Sequence, residues 1–223
     1  METTEVYLLA GLGFDKRIFQ NLILENVKVN YLEWLEPAEN ESLDNYVDRI
    51  AEQISPTAAP IVLIGHSFGG IIVQKISRLI NPAKVIIISS IKSKSEMPIS
   101  LKVLKSIPIY NYINKELILK SFPLWARIFG YNSEKGRLLF NQMIGSSSDN
   151  YLRWSLDKIA NIEFKENIHN LVHIHGTRDK TFSIKKIKDP IIIEDGSHFM
   201  VFSKGDEISE TLNNEILKIA ETY

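Results

Sequence analysis

Residues Gly65-His66-Ser67-Phe68-Gly69 have the types and spacing to present a nucleophile. They join the apolar run Ile61 to Ile64, in which all but Leu63 are β-branched, to apolar residues after Gly70 that recur at helical spacing. A strand that becomes a helix within two residues forces the middle residue into a strained backbone, and small residues two positions to either side let the chains pass. Such a Gly-x-Ser-x-Gly elbow lifts a serine hydroxyl to the C-terminal edge of a sheet. There it meets a helix N-terminus, where free N–H groups and the helix dipole favour negative charge. Ser67 is the expected nucleophile, and acyl transfer the chemistry it suits. A phosphate-binding loop is excluded because no Gly-Lys-Ser/Thr follows, and Gly65, Gly69 and Gly70 are wrongly spaced for a dinucleotide-binding turn.

The histidines offer other chemistry. His173 and His175 share one face of an expected strand and could ligate a metal with Asp179 nearby, but such a pair is more often packed or hydrogen-bonded. His66 and His169 are read as structural. The chain has no cysteine, which excludes disulfides, thiolate-bound zinc and a thiol nucleophile.

These residues need elements to position them. Val6 to Leu9 predicts a buried strand, followed by a turn at Gly11 and Gly13 and a helix from Asp15, as N-cap, through Phe19 and Leu22. Val27 to Leu35 predicts a strand, Ser42 to Ile54 an amphipathic helix, and Lys84 to Ser90, after the break at Asn81-Pro82, a central strand. Strand and helix alternate up to this point, which implies a parallel sheet. From Ile91 to about Phe164 the alternation gives way to helical segments rich in aromatics, among them Tyr110, Phe122, Trp125, Tyr131, Phe140, Tyr151 and Trp154. Leu171 to His175 and Pro190 to Ile193 predict the last strands, and Asp206 to Ala220 an amphipathic helix covering the sheet.

With its elbow between strand and helix, the chain resembles the α/β-hydrolase family, and the likeness extends over most of its length. The resemblance implies an α/β fold with a mostly parallel sheet of about six strands, because the two antiparallel strands that usually open this fold have no counterpart here. Residues 1–90 and 165–223 would form the core and 91–164 a helical cap inserted over the site. In this family the triad acid commonly lies in a Gly-x-x-Asp turn and the base in a Gly-x-His loop. Gly176-Thr177-Arg178-Asp179 and Gly196-Ser197-His198 match, so Asp179 and His198 would complete a triad with Ser67, in the family's chain order. Only 18 residues separate Asp179 from His198, room for little more than a short helix. Asp195 is closer in sequence but sits in the same loop as His198, which makes it the poorer acid. The loop after the first strand would supply one oxyanion donor, the N–H of Leu12, although Ala10 stands where a histidine is common; the N–H of Phe68 would be the second.

Within 223 residues, 44% of them apolar, one substantial core with an insertion is expected rather than two independent domains. A net charge of -1 gives no reason to expect nucleic acid or a membrane as partner. Lys92 to Arg137 nevertheless holds nine Lys or Arg against three Glu. That excess is a solvated face or the mark of an anionic substrate or acidic acyl carrier. The acidic start, leading straight into a strand, and the lack of a long apolar run point to a cytoplasmic protein. The expected activity is that of a serine esterase on a small acyl ester, without cofactor or metal, resembling the small capped carboxylesterases that act on pimeloyl acyl-carrier-protein methyl ester. An acyl thioesterase, a cofactor-free lyase on the same triad and a ligand-binding protein on this scaffold are the alternatives.

Overall fold

The computed structural model describes residues 3–131, 133–164 and 168–220, with the side chains of Trp125, Ile128 and Ala220 outside the described set. Six strands form one sheet: β1 (Glu5–Leu9), β2 (Lys28–Leu32), β3 (Ile61–His66), β4 (Lys84–Ile88), β5 (Leu171–Gly176) and β6 (Ile191–Ile193). Their order is β2-β1-β3-β4-β5-β6, and every neighbouring pair is parallel.

Side chains alternate between the two faces, so each central strand must be apolar on both. Val62 and Ile64 of β3 join one buried cluster and Leu63 the other. The first face is covered by α7 (Met200–Ser203) and α8 (Gly205–Ala220), the second by α1 (Leu43–Ala51) and α2 (Phe68–Ile80). Along α8 the buried positions Ile208, Leu212 and Ile216 recur at every fourth residue, one stripe of the helix. Each contributes roughly 1.5–3 kcal/mol by leaving water. No helix among the described residues is long and apolar enough to cross a membrane.

Four helices lie between β4 and β5: α3 (Ile99–Ser106), α4 (Lys115–Phe129), α5 (Glu134–Ser146) and α6 (Asp149–Ala160). Asn114, Ser133 and Ser148 cap the last three, each accepting a hydrogen bond from a first-turn N–H. They pack on the loops at the C-terminal edge of the sheet. The Trp154 ring lies 4.3 Å from that of Tyr46, Tyr151 5.6 Å from Trp34, and Phe129 6.3 Å from His198. Phe122, Tyr131 and Phe140 are buried together, whereas Tyr112 is exposed.

The helix expected from Asp15 through Leu22 is only a 3-10 turn, Lys16–Phe19. Asp15 does cap it, accepting from Arg17 N at 3.0 Å. Beyond it the backbone finds tertiary partners instead of helical ones: Ile23 N donates to Ser209 Oγ and Glu25 N to Asn213 Oδ1, both on α8. Packing overrides local propensity here.

Sheet order fixes where a site can form. From β1 the chain moves outward to β2, then crosses back to β3 on the other side of β1. The loops leaving β1 and β3 therefore diverge, and a crevice opens between them at the strands' C-terminal ends. Those loops carry Gly11, Leu12 and Ser67. The approach is closest at Gly69, where a methyl group would fall well inside contact with the carbonyl oxygens of Leu9 and Ala10. Both are backbone atoms that cannot swing aside. Gly69→Ala should therefore destabilise the fold by about 3 kcal/mol, measured as a lower urea midpoint with unchanged slope.

Candidate functional site

Ser67 adopts φ 52° and ψ −119°, a region that side-chain-bearing residues seldom enter. Such strain costs on the order of 1–3 kcal/mol and persists only where neighbours over-determine it. Three hydrogen bonds do so: Ser67 N donates to Ile88 O at 2.9 Å, while Ser67 O accepts from Ser90 Oγ at 2.7 Å and from Gly70 N at 3.0 Å. The spacing of Gly65 and Gly69 announced the tight passage. The contribution of Ser90, just past the end of β4, was not legible in the sequence.

The structure brings Ser67, Asp179 and His198 together. Asp179, in the turn after β5, is 4% exposed and accepts from His198 Nδ1 at 2.9 Å. With its proton on Nδ1, the neutral imidazole leaves Nε2 as acceptor, and Nε2 lies 3.0 Å from Ser67 Oγ. The other oxygen of Asp179 accepts from Thr181 N at 2.8 Å and Phe182 N at 2.9 Å. Burial alone would raise the carboxyl pKa, but His198, with His175 and the Phe182 N–H, holds it below the ordinary value. Asp195 is not brought to the base; it is exposed and pairs with Arg178 at 2.8 Å. Between Asp179 and β6 the chain accommodates only a 3-10 turn, Ile184–Lys186.

Leu12 and Phe68 flank the serine. A Cβ on Gly11 would lie 3.1 Å from that of Ser67, so the β1 loop passes directly beside the hydroxyl-bearing residue. Neither the Leu12 nor the Phe68 amide donates a hydrogen bond within the described residues. Trp34 joins the β1 loop to the head of α2: its ring stacks on Phe68 at 5.3 Å with 8° between planes, and its Nε1–H donates to Gly11 O at 3.2 Å. Sequence reasoning missed Trp34, which it placed inside the strand expected from Val27 to Leu35; β2 ends at Leu32.

His66 is structural, as expected. Its Nε2–H donates to His198 O at 2.9 Å, tying the elbow to the loop of the base. His175 Nε2–H donates to Phe182 O at 2.8 Å, bracing the turn that holds Asp179, and its Nδ1 lies 3.2 Å from His173 Nε2. Among the described residues no group of three or more His, Asp or Glu could hold a metal. His169 is exposed at the rim of a separate surface cavity.

No family model and no curated protein sequence matches the chain. Solved structures do resemble it. MenH from S. aureus superposes with TM-score 0.69 at 16% identity, over 99% of this chain and 96% of that one. The fold is the α/β-hydrolase fold. YbtT, the type II thioesterase of the yersiniabactin NRPS/PKS pathway, gives TM-score 0.67 at 17% identity, covering 98% and 94%. A thermophilic esterase gives 0.66 at 19%, covering 96% and 90%. At such identities the likeness is one of fold.

The buried imidazoles of this hydrolase fold make a prediction about acid. Burial, reinforced by the neighbouring His198 and His175 respectively, lowers the pKa of His66 to about 3 and that of His173 to about 3. Unfolded, each ring takes up a proton near pH 6.5. The unfolded chain thus binds more protons, so stability rises with pH between about 3 and 6.5 and is lost on acidification. From pH 7 to pH 5 the two together should remove about 4 kcal/mol, a large part of ordinary domain stability. Equal urea midpoints at pH 5 and pH 7 would contradict this.

Proposed function

We propose that the chain is a serine hydrolase that cleaves a carboxylic ester through an acyl-enzyme. The observation that carries this reading is the continuous chain from Ser67 Oγ to His198 Nε2 and from His198 Nδ1 to Asp179, with both links at 3.0 Å or less. His198 takes the serine proton as Oγ attacks the acyl carbon, and Asp179 holds the tautomer and stabilises the imidazolium. The carbonyl oxygen becomes an oxyanion, met by the free N–H groups of Leu12 and Phe68 at the head of α2. His198 then returns its proton to the leaving group. Water, activated by the same imidazole, releases the acid and restores Ser67. Helices α3 to α6 act as a cap that limits water at this centre.

An acyl thioester would follow the same steps, and the esterase and thioesterase among the structural neighbours support both readings. A cofactor-free lyase would use the base alone. A ligand-binding protein would have no use for a strained serine, a poised base and a buried acid together.

A fluorophosphonate probe should label Ser67 and leave Ser67→Ala untouched. Turnover of p-nitrophenyl butyrate should fall by about 10⁶ in Ser67→Ala and by about 10⁴ in Asp179→Asn, as in the serine-protease triad. Asp195→Asn should stay near wild type. Undiminished turnover in Ser67→Ala would end the proposal, and a panel of p-nitrophenyl esters against acyl thioesters separates the two substrate classes.

A further inference from the structure

The nine cations between Lys92 and Arg137 do not form one face. Lys92 is engaged locally: its Nζ donates to Lys188 O and its N to the buried Glu96 carboxylate. Lys102 and Lys105 sit on α3. Arg127 and Arg137 do something different, because the fold carries them to the loop of His198.

Arg127 lies in the last turn of α4, which ends at Gly130 with φ 92°, and Gly130 rests against the Ser197 side chain. Arg137 lies on the first turns of α5 and is steadied by its Nε donating to Tyr131 O at 3.1 Å. From the core come Arg178 and Lys180. Asp179 between them points inward, so its two neighbours project to solvent, and both are exposed. All four line one cleft of about 920 Å³, together with Ser133, Ser197 and a single acid, Asp195. Asp195 is already paired with Arg178, while Arg127 and Lys180 have no ion-pair partner among the described residues.

We infer that this cleft binds a phosphate group carried by the leaving half of the substrate. Four cations converging with serine hydroxyls on a partly enclosed surface, opposed by one carboxylate, form a site for a strongly charged, multidentate anion. Position identifies which half of the substrate carries it. The cleft is walled by Ser197 and Phe199, the residues on either side of His198. In the thioester form of the mechanism proposed above, on which this inference rests, the leaving sulfur departs on the side of His198 Nε2, which faces Ser67 Oγ, so the rest of the leaving group runs out past the loop of His198. A phosphate ester of the pantetheine type, borne by a small thiol cofactor or by a carrier protein, has that chemistry.

The test separates the phosphate from the thioester. Butyryl-CoA and butyryl-N-acetylcysteamine share acyl group and thioester, and only the first bears phosphate. Wild-type kcat/KM should favour butyryl-CoA by about tenfold or more at low salt, and the advantage should shrink as salt rises beyond about 0.1 M. The double variant Arg127→Gln, Lys180→Gln should lose that advantage and leave the N-acetylcysteamine thioester unchanged. Equal loss on both substrates, or no loss on either, overturns the inference. Calorimetric binding of CoA to the Ser67→Ala protein requires no turnover: binding that the double substitution abolishes supports the site even if every ester and thioester proves inert, and absence of binding by CoA and by a phosphopantetheine-bearing carrier alike refutes it. Within a supporting result, preference for a butyryl carrier protein over butyryl-CoA assigns the phosphate to the carrier, and the reverse preference to the small molecule.

Discussion

The passage of α2 beneath the β1 loop is the constraint on which the site depends. Gly65 lies against Gly69, and Gly69 against the carbonyls of Leu9 and Ala10. Only because these backbones meet without intervening side chains can Ser67 turn its hydroxyl outward at φ 52°. The same approach brings the β1 loop at Gly11 directly beside Ser67. The outward serine and the close passage of the β1 loop are thus one structural event, and strain at Ser67 is its cost. Bonds from Ile88 and Ser90 fasten the turn to β4, so an interior strand of the sheet supports the strained residue.

Beneath the site the chain buries imidazoles that the proposed chemistry does not use. His66 anchors the carbonyl of His198, and His175 anchors that of Phe182, whose own N–H donates to Asp179. Each ring spans two segments that need fixed separation, at the cost of remaining uncharged where water cannot reach. An apolar residue would pack more cheaply but could not hold a carbonyl. His198 and Asp179 are therefore positioned by backbone, and the backbone by buried histidines.

What could be read in advance follows from the range of the interactions. The elbow, the strands and α8 were legible because periodicity, β-branching and glycine spacing act within a few residues. Asp179 and His198 were legible only through resemblance, since nothing local marks one aspartate as buried and its neighbour Asp195, sixteen positions on, as a solvated partner of Arg178. The turn at Lys16–Phe19 was misjudged because the donors that stop it there pair with α8, almost two hundred residues away. Trp34 and Ser90 escaped for the same reason, as their roles exist only once separate strands are side by side.

The division of labour between core and insertion explains why the triad alone does not name a substrate. In the proposed mechanism an oxyester and a thioester pass through the same tetrahedral oxyanion, and Leu12, Phe68, His198 and Asp179 would treat them alike up to its collapse. They differ at the leaving atom: an alkoxide needs the proton of His198, whereas a thiolate, with a conjugate acid near pH 8.5, departs with much less help. In that mechanism discrimination would fall to groups that touch the rest of the substrate, which the proposal places on α3 to α6 and the turn around Asp179. Structures that share this fold at 12–19% identity include an esterase and thioesterases, so the fold by itself does not choose between the two leaving groups.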